Sequence, residues 1–273
     1  MLCSLSKMNP LTTTQVSNSQ EIALNKSTLP NLQSIAEKLE SLEETIIYKL
    51  IDRAQFAHNP AAYAPGSSGF SGESNKSLFE LRLFHQESMD AQFGRFYVPE
   101  ERPFSKDLPQ TRRSVNLPDT GLAKIDYETV NLCDRIQTAY LKLLADICPQ
   151  GDDEQYGSSV EHDVYALQAI ARRIHYGALY VAESKFSTSP GEYGSLIKAG
   201  DTSALMGLLT RAEVEEKIID RVRNKVAFIQ EQVNPDLRNL VDPNNVLSFY
   251  REVIIPLTKD GEIAYLLNRP LED

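Results

Sequence analysis

The sequence predicts an all-α protein, folded as a single-domain multi-helix bundle. Apolar residues recur every three or four positions along several long segments, which is the spacing of one face of an α-helix. No run of alternating residues lies between hairpin turns, so no sheet is expected. No polar linker separates two independently patterned halves. We therefore expect residues 30–273 to form one helical domain.

Before this domain, residues 1–29 are rich in Ser, Thr and Asn and lack an apolar core of signal-peptide length. They are predicted to form a flexible N-terminal tail. A plastid transit peptide is the alternative, because the first acidic residue is Glu21, although the segment contains no arginine.

The first helix is predicted from Asn31 to about His58, roughly 25 residues or about 40 Å. Asn31 follows Pro30 and is a suitable N-cap, and Asn59-Pro60 ends the pattern. A helix of this length crosses the whole molecule or pairs with a partner chain.

Later helices are separated by segments that contain proline, glycine or polar residues. Four prolines between residues 98 and 121 exclude a continuous helix there. The remaining helices are expected at about 76–93, 127–147, 160–186, 212–232, as short helices within 190–209, and as two terminal helices flanking Pro256.

Composition excludes several classes of function. The chain has 273 residues, with 28 Lys and Arg against 38 Asp and Glu, for a net charge of −10. Such a chain repels polyanions, so nucleic acid is not an expected partner. No stretch of 18 apolar residues occurs, so no membrane span is expected. A small anionic ligand needs only a local cluster of cations and stays possible.

Cysteine and histidine patterns predict neither a disulfide framework nor a metal site. The three cysteines form no CxxC pair, and the four histidines form no HxxxH or HExxH pair. A reducing compartment, the cytoplasm, is the simplest expectation.

Three polar patches interrupt the ordinary amphipathic pattern. The segment 171–185 is mostly apolar yet carries Arg172, Arg173 and Lys185 with only Glu183 nearby. Cations on a buried helix need anionic partners, which are either acids of neighbouring helices or a ligand. The other two patches are 211–221, with glutamates in a helical first turn, and 255–265, where Thr258 and Glu262 share one helix face.

Seven blocks in these regions resemble the eukaryotic-type, all-helical chorismate mutases of fungi and plants. They come in family order and span roughly residues 30–270. The blocks are EETIIYKLIDRAQF (43–56), PEERPF (99–104), YGS (156–158), RRIHYG (172–177), VAESKF (181–186), VEEK (214–217) and IPLTK (255–259).

This resemblance implies a homodimeric enzyme that converts chorismate to prephenate, on the route to phenylalanine and tyrosine. The reaction is an intramolecular Claisen rearrangement, and the family uses no metal and no organic cofactor. Catalysis would consist of holding a flexible dianion in its reactive shape and stabilising charge on the breaking ether bond.

The resemblance also implies individual roles. Arg173 matches the arginine that clamps a substrate carboxylate, and Lys185 matches the lysine that reaches a carboxylate and the ether oxygen. Glu215 matches the acid that receives the ring hydroxyl, and Thr258 a hydroxyl that binds a carboxylate. Glu262 matches the glutamate that faces the ether oxygen, where it must be protonated to donate.

Three departures from the family pattern concern the site. Ala36 stands where the family has a substrate-binding arginine, and Arg211 stands where fungal members have an asparagine, which suggests that Arg211 compensates. One extra residue separates Arg173 from Lys185, which would rotate Lys185 by about 100° in an ideal helix. We expect a π-bulge near Gly177 to absorb it.

The family's effector site matches this chain only in part. Arg95, Gly157 and Ser158 are retained, but one of two paired arginines is replaced by Gly94, and Glu161 replaces a threonine. Regulation by tyrosine or tryptophan is therefore not expected.

Two other functions stay open at this stage. One is a mutase for a related dianion such as isochorismate, with a pocket reshaped by Ala36 and Arg211. The other is a catalytically silent relative that acts through dimerisation.

Overall fold

The computed structural model describes residues 29–67 and 69–271. In these ranges the regular secondary structure is all helical and no strand occurs, which confirms the all-α prediction. The tail predicted for residues 1–29 lies outside the described residues, apart from Leu29. The helices are α1 (Leu32–Arg53), α2 (Leu78–Gln92), α3 (Cys133–Ile147), α4 (Tyr156–Tyr176), α5 (Ala182–Thr188), α6 (Pro190–Ala199), α7 (Thr202–Leu209), α8 (Ala212–Glu231), α9 (Pro243–Phe249) and α10 (Ile255–Asn268).

Helix α1 begins as predicted and ends earlier than predicted. The side chain of Asn31 accepts a hydrogen bond from the backbone N–H of Ser34 at 2.9 Å, which caps the first turn. The helix ends at Arg53, not near His58. The buried guanidinium of Arg53 donates to the carbonyl oxygens of Phe56, Ala57 and His58, and these bonds hold the chain in a tight non-helical turn.

The long helix predicted for 160–186 is three consecutive elements. Helix α4 starts four residues earlier, at Tyr156, and a π-helical segment over Gly177–Val181 joins it to α5. The π-bulge expected near Gly177 is therefore confirmed. A π turn accommodates one additional residue, so the face of α4 that carries Arg173 stays aligned with the face of α5 that carries Lys185.

A second π-helical segment, Tyr250–Ile254, joins α9 to α10. The two terminal helices expected around Pro256 are thus continuous, because Pro256 occupies the first turn of α10, where its missing N–H is tolerated. Between α2 and α3, residues 98–121 contain no helix, as their prolines predict.

Helix α4 is the central element and packs against α1, α2, α3 and α10. One core cluster includes Leu50, Leu167 and Tyr250, and a second includes Ile35, Leu179 and Tyr265. Helix α1 contributes to both clusters. No helix in the described part of the chain is long and apolar enough to cross a membrane.

Candidate active site

A cavity of about 310 Å³ lies where the two core clusters meet. Helices α1, α4, α5, α8 and α10 enclose it, together with the π-helical segment after α4, the end of α7 and the connection from α7 to α8. Charged and hydroxyl groups line the cavity alongside apolar side chains. The polar set consists of Arg173, Lys185, Arg211, Glu215, Lys217, Arg221, Thr258, Lys259 and Glu262.

Arg173 is the most deeply buried of these cations, with 3% of its surface exposed. Its Nη1 donates to Thr258 Oγ1 at 3.2 Å, and its buried Nε has no partner. No carboxylate among residues 29–67 and 69–271 forms an ion pair with it. The neighbouring Arg172, by contrast, pairs with Glu100 and Glu101. Arg172 is therefore balanced by acids of the protein, whereas Arg173 has no carboxylate partner in the described residues and can bind an anionic ligand.

Thr258 is oriented by its own helix. Its hydroxyl donates to the carbonyl oxygen of Ile254 at 2.7 Å, so the oxygen lone pairs face Arg173. Gly177 makes this approach possible, since a Cβ on it would lie 2.7 Å from Thr258 Cγ2 and 3.3 Å from Arg173 Nη1. The first residue of the π segment thus has to be small.

Lys185 and Glu262 form an ion pair across the cavity, with Nζ 3.0 Å from Oε2. Lys185 also donates to the carbonyl oxygen of Leu209 at 3.0 Å. Glu262 is 4% exposed, and burial raises the pKa of its carboxyl above the ordinary value although Lys185 and Arg173 act to lower it. The Glu262 carboxyl therefore keeps its proton to a higher pH than a carboxyl in water does.

Two further cations of the cavity are already neutralised. Lys259 Nζ lies 3.0 Å from Glu215 Oε1. Arg221 donates to both carboxylate oxygens of the buried Glu43, at 2.8 and 2.7 Å. Neither cation was singled out from the sequence, although Lys259 follows Thr258 directly.

The wall formed by α1 carries no charge. Leu32, Ile35, Ala36 and Leu39 line it, and Ala36 occupies the position at which an arginine was expected. Arg211 lies on the α8 side, just before the first residue of that helix, and forms no ion pair in the described part of the chain.

The chain resembles proteins of one family over most of its length. The chorismate mutase of Trichoderma parareesei is 37% identical over 254 residues, which cover 88% of this chain and 93% of the relative. This chain belongs to the chorismate mutase family. The cytosolic chorismate mutase 2 of maize is 35% identical, with 88% and 96% covered. The crystal structure of the Candida albicans chorismate mutase in complex with L-Trp superposes with a TM-score of 0.80 at 34% identity, covering 88% and 91%. No family model matches.

The structure gathers the five residues that resemblance to the chorismate mutase family predicted around the substrate, together with Arg211, which was predicted as a compensating departure from that pattern. Five of them come from α4, α5, α8 and α10, and Arg211 comes from the connection before α8. All six line the one cavity: Arg173, Lys185, Arg211, Glu215, Thr258 and Glu262.

The three residues matched to the chorismate mutase effector site are not brought together within one chain. Arg95 donates to Asp90, Glu101 and Gln168, which occupy its guanidinium. Gly157 and Ser158 are exposed at the start of α4. Gln168 lies ten residues after Ser158, about 15 Å along the helix.

Proposed function

We propose that this chain catalyses the rearrangement of chorismate to prephenate in its cavity between α1, α4, α8 and α10. The observation that carries the proposal is the buried Arg173, whose guanidinium has an unpartnered Nε and no carboxylate partner in the described residues. A buried cation without a counter-ion is costly, and an anionic substrate supplies the counter-ion. Membership of the chorismate mutase family supports the choice of substrate.

Arg173 binds one carboxylate of the substrate at the inner end of the cavity. A guanidinium presents parallel N–H donors that match the two oxygens of a carboxylate, which a lysine does not. Thr258 Oγ1 accepts from Arg173 Nη1 at 3.2 Å and so orients the guanidinium; its own O–H binds the carboxylate by turning away from the carbonyl oxygen of Ile254. Holding this end of the molecule restricts the flexible substrate to the folded shape from which the rearrangement proceeds.

Lys185 and Glu262 act at the ether oxygen, where negative charge develops as the C–O bond breaks. Lys185 donates from its ammonium group, and Glu262 donates when protonated. Preorganised donors of this kind contribute about 3–4 kcal/mol each, because they are already oriented before the charge appears. The raised pKa of Glu262 increases the protonated fraction that does this work.

Glu215 accepts a hydrogen bond from the ring hydroxyl of the substrate and is held in place by Lys259. Arg211 binds the second carboxylate, in place of the arginine that Ala36 has replaced. Every group in this scheme belongs to the chain, and no metal or organic cofactor takes part.

The enzyme is further proposed to be a cytoplasmic homodimer. Similarity to the cytosolic maize relative supports the cytoplasm, and the chloroplastic chorismate mutase 1 of maize, 36% identical, makes the plastid the alternative. The long α1 and the resemblance to the family support the dimer. Regulation by aromatic amino acids is not proposed, because Arg95 is occupied by Asp90, Glu101 and Gln168.

The experiment is to incubate the purified chain with chorismate and, separately, with isochorismate, and to follow the loss of each substrate by its ultraviolet absorbance. Turnover of chorismate is expected. Faster turnover of isochorismate would replace the proposed substrate, and turnover of neither would indicate a catalytically silent relative.

Adjacent arginines provide a matched pair of variants. Arg173→Lys is expected to lower kcat/KM about 100-fold or more, since a buried charged contact contributes about 2–5 kcal/mol. Arg172→Lys should stay within about threefold of the wild type, because Arg172 lies outside the cavity lining and pairs with Glu100 and Glu101. Equal losses in both variants would contradict the role given to Arg173.

A further inference from the structure

Six Lys and Arg residues line the cavity, and they fall into two groups. Lys185, Arg221 and Lys259 each have a carboxylate partner within 3.0 Å, namely Glu262, Glu43 and Glu215. The other three form no ion pair with any residue that the structure describes: Arg173, Arg211 and Lys217.

These three unpaired cations lie at two separate places. Arg173 is buried at the inner end, whereas Arg211 and Lys217 are exposed at the outer end. Arg211 directly precedes α8, and Lys217 lies in its second turn. The opposite wall, from α1, is apolar around Ala36. A ligand in this cavity therefore meets one cationic end deep inside and a second at the opening on the α8 side.

Glutamates near the outer cations do not neutralise them. Glu215 is held by Lys259, and Glu216 pairs with Arg251. Glu213 lies one turn before Lys217, but no ion pair joins the two. The positive charge at the opening is therefore not balanced by any of these three glutamates.

We propose that Lys217, together with Arg211, forms the outer anion-binding site of this cavity and receives the second carboxylate of the substrate. This inference rests on the proposed function, and it assigns a substrate-binding role to a residue that resemblance did not single out. Two carboxylates at opposite ends of one small molecule match two cationic ends of one cavity. The chain as a whole has a net charge of −10 and repels a dianion, but this local cluster of cations attracts one.

Kinetic constants separate this role from a catalytic one. The second carboxylate keeps its charge throughout the rearrangement, so its contact is equally present before and during the reaction. Removing such a contact raises KM and leaves kcat nearly unchanged. Lys217→Met is expected to raise KM for chorismate about five- to tenfold, with kcat within about twofold. Because both cations contact one carboxylate, the double variant with Arg211→Met should lose less than the product of the two single losses.

The experiment compares Lys217→Met, Lys217→Arg and Lys198→Met with the wild type. Lys198 is exposed on α6 and outside the cavity lining, so its replacement removes the same charge without touching the site. Lys217→Arg should keep the wild-type KM. Thermal melting of each variant verifies folding.

An equal KM for Lys217→Met and Lys198→Met would overturn the proposal. If the wild type turns over neither substrate, the proposed function fails on its own, and calorimetric titration with chorismate still tests the outer site. In that case, Lys217→Met must weaken binding about five- to tenfold relative to Lys198→Met, and equal dissociation constants would overturn the assignment.

Discussion

Lys185 Nζ lies 3.0 Å from Glu262 Oε2, and the Glu262 carboxyl is almost fully buried. Burial raises the pKa of this carboxyl, while the ammonium group of Lys185 opposes the rise. The two residues therefore constitute a proton-dependent donor pair at the proposed ether position: the lysine donates throughout, and the glutamate donates only while it carries its proton.

A pH profile of kcat tests this relationship. Because the raised pKa of Glu262 marks the loss of its proton, kcat should fall as the pH rises through that value. In Glu262→Gln the amide N–H donates at every pH, so the profile should be flat over the range in which the wild type declines. Glu213→Gln, an exposed change outside the cavity, should keep the wild-type profile. A decline in Glu262→Gln parallel to the wild type would assign the titration to another group.

Gly177 provides a test of the π segment. In Gly177→Ala the new methyl group would lie 2.7 Å from Thr258 Cγ2 and 3.3 Å from Arg173 Nη1, so both side chains must shift. We expect a destabilisation of about 1–3 kcal/mol. Displacement of the carboxylate-binding pair should lower kcat/KM about tenfold or more. Urea unfolding and steady-state kinetics measure the two effects.

Gly207→Ala is the matched control. Gly207 is also helical, and a Cβ there meets no atom within 4 Å. This substitution should stabilise the chain by about 0.5–1 kcal/mol and leave kcat/KM unchanged. Unimpaired kinetics in Gly177→Ala would show that the π segment tolerates a side chain and does not constrain the site.

Helical periodicity was sufficient to predict most of the fold, and the errors have local causes. The predicted end of α1 is wrong because the helix ends at Arg53, before the Asn59-Pro60 pair. Arg53 is buried in an ion pair with Asp163, which is distant in the sequence, and the chain turns there. Continuity across Pro256 was missed because a π segment precedes it. Both features depend on tertiary contacts that a local pattern does not contain.

Within the site, motif resemblance identified the residues that line the cavity but not how they pair. The sequence identified neither Lys259, which directly follows Thr258, nor Arg221, which lies on α8 with Glu215. Glu215 balances the charge of Lys259, and Glu43 balances that of Arg221, from which it is about 180 residues distant in the sequence. Lys217 was present in a recognised block and had no role until the paired and unpaired cations could be separated. Ion pairing across α1, α8 and α10 is a property of the packed fold.

Ala36→Arg tests whether the outer site replaces the arginine expected on α1. In the wild-type background we expect less than a threefold change in KM, because Arg211 and Lys217 already bind the second carboxylate. In the Arg211→Met background, Ala36→Arg should recover most of the lost affinity, because the new arginine on α1 reaches the second carboxylate from the opposite side of the cavity. A large gain in kcat/KM for Ala36→Arg alone would show instead that the native cavity lacks a necessary cation.

The last prediction concerns stability and the buried His175. Its Nε2 accepts a hydrogen bond from the backbone N–H of Leu132 at 3.0 Å, joining α4 to the start of α3. Burial, with a smaller contribution from the charge of Arg102, lowers its pKa to about 3. In the unfolded chain the pKa returns to about 6.5, so the unfolded state binds the proton first as the pH falls.

Because the folded pKa lies below the unfolded one, the stability contribution of the neutral imidazole is complete above about pH 6.5 and declines toward about pH 3. Between about pH 7 and pH 5 the chain should lose about 2 kcal/mol through this one group. His175→Gln keeps an acceptor for the Leu132 N–H and does not titrate. The wild type should therefore lose about 2 kcal/mol of unfolding free energy relative to this variant between about pH 7 and pH 5. Urea denaturation at the two pH values measures it, and a pH-independent difference would mean that His175 has an ordinary pKa in the folded chain.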